Sequence, residues 1–283
     1  MQNTVRDPDT HAALSKVPMV TLGFWIIKIL ATTLGETGGD AVTMTWLGET
    51  TSEATPNGYL IGTAIFFTVL LALVTVQIRA KRFHPFLYWA TIVASTTAGT
   101  TLADFCTRSL GIGYLGGSSI LLTLVILSLA IWYASERSIS VDTVNTPRVE
   151  AFYWTTITFS QTLGTALGDW MAAGPSDPAA TTGSLDLGYG GGALVFAAAI
   201  AICAALYHWT NISRTVLFWA AFILTRPLGA TVGDFLDKPL NHGGLDLSRP
   251  VASVALAAVI LALILLIPQR AGVHPRNKSA ESA

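Results

Sequence analysis

The chain has 283 residues, 52% of them hydrophobic and 12% charged, and its mean hydropathy is +0.56; against the roughly 25% charge of soluble domains this argues for a membrane protein and against a water-soluble globule. A formal net charge of −1, with 16 basic residues spread over short loops, sets nucleic acid aside as a partner. Cys106 and Cys203 stand alone and form neither a disulfide framework nor a zinc-ligand cluster, so they read as small buried apolar residues.

The first eighteen residues, MQNTVRDPDTHAALSKVP, are polar and mix acids and bases before any apolar run, unlike a cleavable signal peptide, and read as a retained segment without fixed structure. From there on, about nineteen apolar residues suffice to cross ~30 Å of hydrocarbon at ~1.5 Å per residue. Eight spans follow, at residues 19–44, 60–78, 86–105, 114–134, 152–173, 187–209, 216–236 and 251–267. The odd-numbered spans contain acids and the even-numbered spans contain none. The predicted class is all-α: a polytopic membrane protein with eight transmembrane helices in four parallel two-helix repeats.

The repeats are in register. Each odd span opens near a tryptophan, Trp25, Trp89, Trp154 and Trp219, at spacings of 64, 65 and 65 residues. Ten residues later comes a glycine (Gly35, Gly99, Gly164, Gly229) and fifteen later an aspartate (Asp40, Asp104, Asp169, Asp234). Three copies open the even span with Gly-Tyr, in GYLIG, GYLGG and GYGGG, and the fourth has LDLSRP instead. The chain divides into an N-terminal tail (1–17), repeats at 18–82, 83–147, 148–212 and 213–270, and a C-terminal tail (271–283).

These landmarks resemble a family of bacterial membrane proteins of unknown function, built from four tandem repeats with two transmembrane segments and a characteristic tryptophan in each. The resemblance spans about residues 17–270. It implies the architecture and says nothing of an activity.

Two spans per repeat bring every copy into the membrane from the same side, so the four motifs share one depth, unlike inverted repeats. Eleven basic residues (Arg6, Lys16, Arg79, Lys81, Arg82, Arg137, Arg148, Arg214, Arg270, Arg276, Lys278) lie on the side of the termini, against Arg108, Lys238 and Arg249 on the other. This places both termini in the cytoplasm, with a bacterial inner membrane as the expected location. The outer loops, with Glu49, Glu53, Asp177, Asp186, Asp237 and Asp246, form a mildly acidic mouth.

Positions 7, 11 and 15 after each tryptophan share a helix face. They read Thr32, Glu36, Asp40; Thr96, Thr100, Asp104; Gln161, Thr165, Asp169; and Arg226, Ala230, Asp234, with Lys28 one turn earlier in the first repeat. Beside this stripe run the small pairs Gly35/Gly39, Gly99/Ala103, Gly164/Gly168 and Gly229/Gly233, which let membrane helices approach closely. If the tryptophans mark the inner interface, the aspartates stand ~22 Å above them along an intact helix; unwinding at the Thr-Thr-Leu-Gly stretch would bring them nearer the midplane. Both geometries fit the sequence. Pro227 should kink the seventh span.

A carboxylate facing lipid costs ~3 kcal/mol or more, so Glu36, Asp40, Asp104, Asp169 and Asp234 must face protein, water or an ion. Lys28 and Arg226 balance two of these five charges, leaving three for a cation or protons to neutralise. Oxygen ligands without Cys or His suit Mg²⁺, Ca²⁺, Mn²⁺, alkali ions or protons. Thr32, Thr33, Thr96, Thr97, Gln161 and Thr162 would add oxygens, with Lys28 and Arg226 as counter-charges or gates.

Against these stand plainer roles. The tryptophans suit interfacial anchors and packing elements, Lys28 can snorkel to headgroups, and each aspartate can cap its own helix or outer loop, most simply Asp104 and Asp169, whose spans hold no base. His11, His84, His208, His242 and His274 lie in loops or tails and offer no proton relay. With no HExxH, GxSxG or P-loop, an enzyme is not expected, and no cofactor is implied. Two readings follow. One is a secondary transporter of a cation, divalent or proton-coupled, whose partners are the bilayer and the cation or proton. The other is a non-transporting membrane scaffold or sensor whose polar stripes lock the bundle.

Overall fold

The computed structural model describes residues 14–49, 57–175, 177, 179–180, 183–240 and 243–273. Arg6, His11, Glu53, His242, His274, Arg276 and Lys278 lie outside the described residues. Among the described residues eight long helices run in chain order: α1 (Leu22–Asp40), α2 (Gly58–Arg79), α3 (Pro85–Asp104), α4 (Gly113–Glu136), α5 (Pro147–Ala172), α6 (Gly188–Trp209), α7 (Arg214–Asp237) and α8 (Arg249–Leu266). Local chemistry sets their starts. Thr21 and Thr146 accept from the Phe24 and Val149 amides, and Pro85 and Pro147 occupy first-turn positions where a missing N–H costs nothing. α4 and α6 begin at Gly113 and Gly188, whose φ of +72° and +66° suits glycine.

The odd-numbered helices form a closed inner ring, α1 against α3, α3 against α5, α5 against α7, and α7 back against α1. Each even-numbered helix leaves its own repeat and covers the next one: α2 lies on α3, α4 on α5, α6 on α7, and α8 closes the circle on α1. The result is a pseudo-fourfold arrangement. In the outer helices only 11 to 22% of the most apolar stretch is buried, against 67% in α7, so their hydrocarbon faces outward. By length and composition α2, α4, α6, α7 and α8 are able to cross a membrane. The remaining inner helices, α1, α3 and α5, carry the polar stripe, and it lowers their hydropathy while burial in the ring shields it.

The glycine ridge is what closes the ring. A Cβ on Gly35 would run into Thr96 Cβ, while one on Gly99 would lie 2.8 Å from the Gln161 carbonyl carbon, one on Gly164 2.5 Å from Arg226 Cβ, and one on Gly229 2.5 Å from Thr32 Cβ. The position ten after one tryptophan thus packs on the position seven after the next, four times around. Gly39 on Thr100, Gly168 on Ala230 and Gly233 on Glu36 repeat the contact one turn further along. Small residues here do what membrane helix pairs need, letting backbones approach until polar groups meet.

None of the odd helices unwinds at its motif, so the unwound alternative is set aside, and α7 runs unbroken through Pro227. Beyond Asp40 and Asp104 the chain continues as π-helical turns, Ala41–Trp46 and Phe105–Ser109, whereas α5 and α7 end in α geometry. His208 sits in the last turn of α6 rather than in a loop.

At the end of the bundle where the termini meet, β1 (Leu14–Pro18) pairs antiparallel with β2 (Ala271–Val273). Residues 14–18 are therefore ordered, contrary to the expectation for the N-terminal segment. The Lys16 amide donates to the Val144 carbonyl at 2.8 Å, and its ammonium donates to the Gln77 and Ile78 carbonyls and to Glu150, which is fully buried. A charge pair with one partner removed leaves the other uncompensated. Lys16→Met should therefore lower stability by about 3 kcal/mol, and Glu150→Gln in the same chain should restore most of it, as read by thermal unfolding in detergent.

Candidate functional site

The inner ring stacks its side chains in levels one helical turn apart. One residue before each tryptophan stand Phe24, Tyr88, Tyr153 and Phe218, all buried; the two tyrosine hydroxyls hydrogen-bond at 2.7 Å, and the Phe24 and Phe218 ring centres are 6.3 Å apart. Trp89, Trp154 and Trp219 are buried in the same aromatic cluster. Trp89 Nε1 donates to Gln269 Oε1 at 3.1 Å and Trp219 Nε1 to the Ile139 carbonyl at 2.8 Å. The packing role holds for these three and the interfacial-anchor role is corrected: they lie in the interior, and the polar edges of Trp89 and Trp219 are satisfied by protein.

One turn on stand Lys28, Ile92, Ile157 and Phe222, all with no exposed surface. Lys28 neither snorkels nor pairs. Its Nζ has no hydrogen-bond partner among the described residues and lies 4.3 Å from the centre of the Phe222 ring.

The next level holds Thr32, Thr96, Gln161 and Arg226. Thr32 Oγ1 is 2.7 Å from the Ile29 carbonyl of its own helix and 3.0 Å from the Thr225 carbonyl of α7; Thr96 Oγ1 is 2.8 Å from Val93 O and 3.2 Å from Ala31 O of α1. Both hydroxyls stitch neighbouring helices. Gln161 has no partner for either amide atom among the described residues. By contrast, Thr33, Thr97 and Thr162 donate to carbonyls four residues back in their own helices, at 3.1, 2.9 and 3.0 Å, so the structure does not bring them into the polar stack.

Above these lie Glu36, Thr100, Thr165 and Ala230. Ala230 leaves a gap that Arg226, one turn below on the same helix, fills with its guanidinium. Arg226 Nη2 reaches Glu36 Oε2 at 2.8 Å, Thr100 Oγ1 at 2.6 Å and Thr165 Oγ1. One cation thereby ties all four inner helices together.

The aspartate level holds Asp40, Asp104, Asp169 and Asp234, each at most 6% exposed. Lys238 Nζ sits on Asp40 Oδ2 and 2.9 Å from Asp234 Oδ1, with Met44 Sδ at 3.6 Å. Arg108 Nε donates to Asp104 Oδ1 at 3.2 Å, and its Nη2 lies 3.5 Å from Asp177 Oδ2. Asp169 is within electrostatic range of Asp234, Arg108, Asp104 and Glu36. Carboxylate oxygens of Glu36, Asp40 and Asp234 all fall within 4.8 Å of one another, a spacing able to hold a metal ion.

The pattern along the chain puts Lys238 and Arg108 among the outer-loop bases and leaves Asp104 with no base in its own span; the structure corrects both. Each base lies four residues after its aspartate, hence on the same helix face, which is the signal that finds it. They supply two of the three positive charges that the acids lacked, so the demand for an external cation shrinks accordingly. The neutralisation is uneven. At the aspartate level four carboxylates face two cations, while one turn or more below, Lys28 and Arg226 face Glu36 alone.

A family model described as a Repeat of Unknown Function (DUF347) matches the chain four times, at residues 23–83, 87–138, 152–213 and 217–268. No curated protein matches, and no solved structure matches.

Proposed function

The chain belongs to the DUF347 family, with four copies of its repeat covering most of its length, and from that premise we propose that it is an eight-span secondary transporter of a cation. On this reading both termini are cytoplasmic and the membrane is the bacterial inner membrane, as the excess of basic residues at the termini end supports. The observation that carries the proposal is the convergence of Glu36, Asp40 and Asp234 beneath Lys238. Lys238 is a tethered cation lying on two carboxylates. A free cation entering from the acidic mouth exchanges with it, or with protons, on the same oxygens, and such an exchange is the elementary step of coupled transport. Asp104 and Asp169 extend the negative level, and the aromatic level at the far end closes the path in this conformation.

The second reading, a scaffold or sensor, is favoured by the ion pairs themselves, since Arg226, Arg108 and Lys238 leave few charges free. Binding is what the first reading requires, and transport is what separates the two. Lys238→Met frees Asp40 and Asp234, so the variant should bind Mn²⁺ or Ca²⁺ at least ~10-fold more tightly than the parent chain, read as a cation-dependent rise in Tm in detergent. Adding Asp234→Asn should abolish the response. Proteoliposomes loaded with a panel of monovalent and divalent cations then test transport directly. If the Lys238→Met chain melts at the same temperature with and without every cation, the transporter reading fails and the scaffold stands.

A further inference from the structure

The half of the stack nearer the termini holds more unmet donors than unmet acceptors. Lys28 Nζ, Arg226 Nε and Nη1, and Gln161 Nε2 are all buried and none has a hydrogen-bond partner among the described residues, while the Gln161 carbonyl oxygen beside them is also unmet. Their register brings them together. Lys28 lies against Phe222, one turn before Arg226 on α7; Gln161 lies one turn before Thr165 on α5, and Thr165 is itself bonded to Arg226. Lys28 and Arg226 thus stand on adjacent levels of the ring.

Buried donors left unmet each cost of the order of a hydrogen bond or more, and two like charges in a poor dielectric cost further. Glu36 answers one of the two charges. What remains is a surplus of N–H donors and one net positive charge. A carboxylate from the aspartate level does not fill it, because Asp40 and Asp234 are held by Lys238 and Asp104 by Arg108, and Asp169 stands about two helical turns beyond Gln161 on α5. A water molecule accepts two hydrogen bonds and brings two donors of its own, so it answers neither the charge nor the donor surplus.

We infer that a small monovalent anion, of halide size, binds between Lys28, Gln161 and Arg226, on the termini side of the Arg226–Glu36 pair. The anion accepts from the Lys28 ammonium, the free guanidinium edge and the Gln161 amide. It balances the lower half of the stack as a cation balances the upper half. The inference does not depend on transport, because it concerns equilibrium binding alone.

The test uses the full chain in detergent, melted in sodium chloride, sodium bromide and sodium gluconate at equal ionic strength. Chloride and bromide should raise Tm over gluconate by roughly 5 °C at saturation, by mass action on the folded state. Lys28→Met should remove that difference and melt in gluconate no lower than the parent chain does, having lost an unpaired buried charge. Gln161→Leu, which leaves both cations in place, should shift the halide midpoint at least ~10-fold upward through loss of a donor. Equal Tm in all three salts for the parent chain overturns the assignment. So does a halide response undiminished in Lys28→Met or, should that variant fail to fold, an unchanged halide midpoint in Gln161→Leu.

Discussion

Arg226→Met should destabilise the folded chain by about 3–5 kcal/mol, and Glu36→Gln in the same chain should recover most of that loss. Arg226 has no exposed surface and its Nη2 joins Glu36, Thr100 and Thr165. Removing it leaves Glu36, 2% exposed, as a buried carboxylate without its ion-pair partner and leaves two threonine hydroxyls without their donor. The double variant carries neither charge, and buried ion pairs are often replaced by neutral groups in this way at little net cost. Reversible unfolding of parent, single and double variants in mixed detergent gives the cycle. A coupling energy of at least ~2 kcal/mol is expected, and strictly additive variants would show that Glu36 and Arg226 do not meet.

The second large effect falls on the glycine ridge. Gly99→Ala is expected to cost roughly 1–3 kcal/mol or to prevent folding, because its methyl would lie 2.8 Å from the Gln161 carbonyl carbon and 2.9 Å from the Thr162 amide nitrogen. Those are backbone atoms, and relief requires α3 and α5 to separate, which would break the ring. Gly38→Ala is the internal control. Its methyl would meet nothing nearer than Ser253 Oγ at 3.9 Å, so it should be neutral or stabilise α1 by ~0.5–1 kcal/mol through helix propensity. Equal melting temperatures for the two variants would contradict the packing order of the inner helices.

The side chains break the symmetry that the backbone keeps. Nineteen residues after the four tryptophans stand Met44, Arg108, Ala173 and Lys238, so bases alternate with apolar residues around the ring. This alternation follows from charge. Four like cations at one level would repel, and none would leave four buried aspartates unbalanced. Arg226 and Ala230 show the same logic within one repeat, since the small residue makes space for the long one.

Much of this is legible from local pattern. Helix starts and lengths, the 65-residue register, the shared face of Thr32, Glu36 and Asp40, and the presence of a small-residue ridge all depend on residues within a few turns of one another. Periodicity along one helix records such features directly. Lys238 and Arg108 are within reach of the same rule, four residues past an aspartate, but a span drawn from hydropathy ends before it reaches them.

What the tertiary structure alone decided is which helix meets which. A sequence states that α1 has a glycine ridge and a polar ridge; it does not state that the first faces α3 and the second α7, or that α2 covers the following repeat. Those pairings placed Lys238 on Asp40, 198 residues away, turned three tryptophans from supposed membrane anchors into buried packing, and left Lys28 without a hydrogen-bond partner among the described residues. The physical reason is that hydrophobic and small-residue contacts are nearly indifferent to the identity of the partner helix. Partner choice emerges only when the whole ring closes and every buried charge must find its counterpart at once.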